Sequence, residues 1–164
     1  MTPALPAGFS EGSKTMSVSG EWVELGDGLR GYYARPDGSG PFPSVVIYIE
    51  AFGLNAHFKR LTERFADAGF VAVTPDIYGG AVYEYADLPN AIGHLQRMDD
   101  DTVLAQTERT LDFLLGREEA AVDAVAVVGF CMGGRYAFLA NAALPSRFKA
   151  AAAFYGGGIG PVED

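Results

Sequence analysis

The sequence predicts an α/β fold in which a mostly parallel sheet is flanked by helices. Three observations carry this. Short apolar runs at residues 44–49, 70–74 and 124–128 are rich in Val, Ile and Ala and carry no alternation, as strands buried on both faces do. Between them lie stretches of helical period, so strand, helix and strand follow one another, the signature of right-handed parallel crossovers. The third run enters Gly129-Phe130-Cys131-Met132-Gly133-Gly134, after which residues 135–144 have helical composition, placing Cys131 at a sharp strand-to-helix corner.

Residues 1–15, rich in Pro, Gly and Ser, read as a flexible N-terminal extension, and 16–164 as one domain. Two strands are expected around 16–25 and 29–35, joined through the turn Gly26-Asp27-Gly28, with Trp22 in core or edge packing. A Gly/Pro-rich loop at 37–43 leads to the strand 44–49, apolar enough to be central. Phe58, Leu61 and Phe65 recur at helical spacing until Gly69 supplies a stop. Strand 70–74 ends in Pro75-Asp76, and 77–95 reads as irregular and aromatic. Asp99, Asp100 and Asp101 form the acidic start of a helix whose apolar face is Val103, Leu104, Leu111, Leu114 and Leu115, ending before Gly116. The elbow strand, a helix to about Ala143 and a last strand at 150–155 complete the chain.

A length of 164 residues that are 49% hydrophobic suffices for one domain with a sizeable core. The net charge of −9 opposes binding to nucleic acid or to an anionic membrane, so a small molecule is the expected partner. One cysteine cannot close an internal disulfide, and two distant histidines offer no metal-ligand spacing, so neither metal nor cofactor is expected. With no signal-like start and no run of membrane-spanning length, the expected location is cytoplasmic.

The corner at Cys131 matches the nucleophile elbow G-x-S-x-G with cysteine in the serine position. Gly129, Gly133 and Gly134 let strand and helix approach closely. Backbone N–H groups and the positive helix end favour thiolate over thiol there, and thiolate is the nucleophile. Ligands of open α/β sheets sit beyond the carboxyl ends of the strands, where Glu50, Asp76, Cys131 and Tyr155 all fall. Glu50 closes the central strand beside the elbow strand, and within hydrogen-bond reach its carboxylate can take the thiol proton or hold the thiol in a resting orientation.

Residues Ile49-Glu50-Ala51-Phe52-Gly53-Leu54-Asn55, Pro75-Asp76-Ile77-Tyr78, Gly129-Phe130-Cys131-Met132-Gly133-Gly134 and Phe154-Tyr155-Gly156 resemble the dienelactone hydrolase family in order and spacing, over about residues 17–157. The resemblance implies an α/β-hydrolase fold and hydrolysis of an ester or lactone through a cysteine acyl-enzyme. By motif, Cys131 would be the nucleophile and Glu50 the carboxylate engaging its thiol. The N–H groups of Ala51 and Met132 would form the oxyanion hole, each donor worth about 3 kcal/mol, with Phe52, Tyr78 and Tyr155 against the substrate.

The resemblance also exposes two departures. The family places an Asp or Glu and then a His after the nucleophile, but no histidine follows Cys131 and the only later acids are Glu163 and Asp164. His57 and His94 both precede it and read as surface or packing residues. The domain is therefore expected to be truncated, lacking the last strands of the fold and leaving strand 150–155 at an open edge, where further chain or another copy would pair. The family's dienelactone enzyme anchors its substrate carboxylate with an arginine before the long helix, yet residues 79–95 contain no Arg or Lys. A different substrate follows. The alternatives are a catalytically silent binding or scaffold domain and, last, a class I glutamine amidotransferase, whose elbow is also G-x-C-x-G.

Overall fold

A computed structural model describes residues 18–160, and the extension expected over 1–15 lies outside them. Six strands form one sheet: β1 (Glu21–Gly26), β2 (Leu29–Ala34), β3 (Phe42–Tyr48), β4 (Val71–Pro75), β5 (Ala120–Phe130) and β6 (Ala150–Phe154), in the order β1-β2-β4-β3-β5-β6. The β1–β2 hairpin joins antiparallel, while β4, β3, β5 and β6 run parallel. This is the α/β architecture expected, with β3 central.

The middle strands are buried because both faces are covered by helices, so their sequences need no alternation. Val46, Ile47, Val71 and Val73 are fully enclosed. Helix α1 (Ala56–Asp67) starts at Asn55, whose side chain accepts from the backbone N–H groups of His57 and Phe58, and buries Phe58, Thr62 and Ala66. Helix α3 (Asp100–Leu115) starts at Asp99, which accepts from Thr102 N. Helix α4 (Met132–Ala143) follows β5 directly.

Several expectations are corrected. Residues 77–95 are not wholly irregular, because α2 (Leu88–Leu95) forms there. It has only two turns, with Asp87 at its N-cap and a proline in its first turn, too short for a helical period to declare itself. The elbow strand runs from Ala120 to Phe130, longer at both ends than the expected 124–128. Helix α4 begins at Met132 rather than Arg135, its first turn built from glycines of low helix propensity that close packing demands. Leu115, placed on the apolar face of α3, is exposed. Trp22, by contrast, sits at the edge as one of its two expected places, exposed on β1 with Arg30 and Lys59 over its ring at 4.9 and 4.8 Å.

Candidate active site

Register brings the site together. Tyr48 of β3 is opposite Gly129 of β5, and Phe130 of β5 is opposite Phe154 of β6. Counting past these pairs sets Glu50, Cys131 and Tyr155 at one level, beyond the carboxyl ends of three adjacent strands.

Cys131 is the corner residue, with φ 56° and ψ −123°, outside the basins a non-glycine residue prefers. Its backbone is clamped on both sides. The Cys131 N–H donates to Phe154 O at 3.0 Å, and Cys131 O accepts from Gly134 N at 2.9 Å and Arg135 N at 3.3 Å. A Cβ on Gly133 would meet Ile49 O at 2.5 Å and Tyr48 O at 2.6 Å, and one on Gly134 would meet Phe154 O at 2.5 Å. Only glycine lets the start of α4 sit against β3 and β6 so closely. The N–H groups of Ala51 and Met132, both on buried residues, donate to no acceptor among the described residues.

The thiol opens on a cleft of about 620 Å³ whose wall includes Leu95, Met98, Met132 and Tyr136. Its polar rim is Asp99, Asp100 and Arg135, the last two joined by a bidentate ion pair at 2.6 and 2.7 Å. That pair holds the Asp100 carboxyl below its ordinary range and the Arg135 guanidinium above its own.

Glu50 is half-buried, and its Oε1 accepts a hydrogen bond from Tyr155 Oη at 2.8 Å; no hydrogen bond joins it to Cys131. The carboxylate acceptor is the main reason the Tyr155 phenol is pushed up to about 12, with burial and the charges of Glu50 and Cys131 adding to it. Phe52 packs edge-on against Tyr85 at 4.6 Å between ring centres. Tyr78 is buried and donates to Met132 Sδ at 3.2 Å, so it stands behind the cleft wall, its phenol pushed up chiefly by burial. Asp76, the remaining strand-end acid, faces elsewhere: it is buried beside Arg30, 3.6 Å away.

His94 stacks on Tyr78 at 3.9 Å and its Nδ1 bonds Tyr83 Oη at 2.9 Å; burial, then Arg97, lower its basicity. His57 is exposed, against Phe58. Neither histidine hydrogen-bonds Cys131 or Glu50 among the described residues.

Sequence reasoning missed Arg135 and Asp100 as site residues. One signal was available: a cation in the first turn of a helix faces the positive end of the dipole and needs a partner to sit there. Asp99 does serve as the acidic cap that was expected, while Asp100 turns away to the arginine.

Comparison with known proteins gives the family and the fold. The profile of the dienelactone hydrolase family matches residues 29–163. A Synechocystis protein named "Putative carboxymethylenebutenolidase" is 35% identical over 137 residues, covering 80% of this chain and 55% of that protein. The crystal structure of a "Putative Dienelactone Hydrolase" from Klebsiella pneumoniae is 30% identical with a TM-score of 0.79, covering 89% of this chain and 63% of that one. A dienelactone hydrolase-like promiscuous phosphotriesterase from metagenomic libraries is 32% identical with a TM-score of 0.71, over 86% of this chain and 60% of its own. The chain spans about half the length of the curated relatives it matches. On the family match and the shared fold together, this chain belongs to the dienelactone hydrolase family.

Proposed function

We propose that this chain carries the nucleophile, the carboxylate and the oxyanion hole of an enzyme that hydrolyses a small carboxylic ester or lactone. The reading is supported by register: Cys131 and Glu50 fall at one level past the ends of β5 and β3, and the N–H groups of the next residues, Met132 and Ala51, have no acceptor among the described residues. The Cys131 thiolate attacks the ester carbonyl carbon, and the carbonyl electron pair moves onto oxygen. Amides fixed beforehand stabilise that oxyanion at little reorganisation cost. The intermediate collapses by expelling the alcohol oxygen, which takes the proton that Glu50 received from the thiol, and leaves a thioester on Cys131. Glu50 receives the thiol proton once Tyr155 yields its hold on the carboxylate. Phe52 and Tyr155 are assigned as substrate contacts, and Tyr78 backs Met132.

Water must then cleave the thioester, which calls for a base. We place the element supplying it at the open edge of β6, as further chain or a second copy, working without cofactor on a small soluble substrate in the cytoplasm. The relatives' greater length supports such an element.

The test is incubation with p-nitrophenyl acetate, reading both p-nitrophenolate release and protein mass. One acetyl group on Cys131, absent in Cys131→Ala, is expected. Equal release by the two proteins with no adduct would leave the silent scaffold, a reading favoured by the lack of any histidine bonded to Cys131 or Glu50 among the described residues.

A further inference from the structure

The cleft over Cys131 carries a charge arrangement that acyl transfer does not require. Arg135 lies in the first turn of α4, where the helix dipole repels a cation, so its position depends on a partner. Asp100 is that partner, engaging both terminal nitrogens with both oxygens in the strongest geometry open to the two groups. Asp99 adds a second carboxylate, occupied by Thr102 N and Oγ1. The charged rim thus holds two negative groups and one positive.

We infer that Asp100 is a specificity-determining residue: by clamping Arg135 it withholds the cleft's cation from an incoming carboxylate, so the site takes esters whose acyl part is uncharged. This deepens the ester-hydrolase reading and rests on it for the word ester, while the charge selection stands on the ion pair. An uncharged group loses little on leaving water for the wall of Leu95, Met98 and Tyr136. A carboxylate would lose its hydration and meet a rim of its own sign, with the two terminal nitrogens of Arg135 already engaged and its charge neutralised by Asp100.

Charge selection can be read without turnover, because Cys131 is the sole cysteine. Iodoacetamide and iodoacetate are nearly the same size and react alike: the thiolate sulfur bonds the methylene carbon and iodide leaves. The ratio of their two rates cancels the thiolate fraction and reports the charge of the cleft. Measured against glutathione at neutral pH and low salt, the protein's preference for iodoacetamide should be about threefold or more above that of the small thiol. Asp100→Asn, with the guanidinium released, should lower the preference about three- to tenfold, and Arg135→Gln should raise it. Added salt should compress all three values toward glutathione.

A wild-type ratio equal to glutathione, unmoved by either substitution, would overturn the inference. So would equal slowing of both reagents in Asp100→Asn, the mark of a purely structural role. Arg135→Gln keeps the test decisive if Asp100→Asn misfolds, because it predicts the opposite sign. Ratios that shift as stated in a protein that never accepts an acetyl group would remove the ester reading and keep the charge assignment.

Discussion

Tyr155 Oη donates to Glu50 Oε1 at 2.8 Å, bridging the ends of β6 and β3 across the elbow strand that lies between them. It is the hydrogen bond that the Glu50 carboxylate accepts among the described residues. Because it raises the folded-state value of the phenol to about 12, its contribution is complete below the ordinary 10.0 and is lost as pH rises through about 12. Glu50→Gln should return one tyrosine to near its ordinary titration, read as tyrosinate absorbance with Tyr155→Phe as the blank. At neutral pH Tyr155→Phe should cost at most about 1 kcal/mol in urea unfolding, since the pair is solvent-exposed.

The elbow glycines predict a much larger effect. Gly133→Ala forces a methyl to within 2.5 Å of Ile49 O and 2.6 Å of Tyr48 O, both backbone atoms with no room to retreat. Either α4 moves off β3 or the corner opens. A loss of about 3 kcal/mol or more in urea unfolding is expected, with loss of Cys131 acylation. Gly157→Ala is the control: it also lines the cleft, but an added Cβ meets nothing within 4 Å, so stability should stay within about 0.5 kcal/mol.

What was legible in the sequence was what the chain settles locally. Unbroken apolar runs declared β3, β4 and β5 because strands covered on both faces cannot alternate, and three glycines around a cysteine declared a corner. Helix α2 was hidden because two turns carry too little period. Pairings made across the fold were hidden as well. Arg135 and Asp100 are 35 residues apart and Tyr155 and Glu50 are 105 apart, and no local pattern ties such partners together. Of the two places expected for Trp22, core or edge, it takes the edge, and the cations that lie over its ring, Arg30 and Lys59, likewise come from elsewhere in the chain.

Beneath the site, Tyr48 and Thr107 share a fully buried hydroxyl contact that ties β3 to α3, and Thr107 Oγ1 also reaches Val103 O at 2.7 Å. The two ends respond differently to removal. Tyr48→Phe leaves Thr107 its bond to Val103, so about 1 kcal/mol should be lost. Thr107→Val strands the Tyr48 hydroxyl with no water to turn to, and about 2–3 kcal/mol should go. Equal losses in paired urea titrations would contradict the asymmetry.

Strand β6 makes the last prediction. It closes one end of the sheet, pairs on one side with β5, and leaves all five residues exposed, including an apolar phenylalanine at 48%. Its Ala151-Ala152-Ala153 core contains no charge, proline or bulge, the devices that keep an open edge from recruiting another strand. The chain as it stands should therefore associate through this edge, and its sedimentation coefficient should rise with concentration. Ala152→Lys sets a charge in the middle of the strand, where a second copy would have to desolvate it, and should return the protein to a 17.4 kDa monomer. If wild type and Ala152→Lys sediment alike as monomers at every concentration, the edge recruits no second copy.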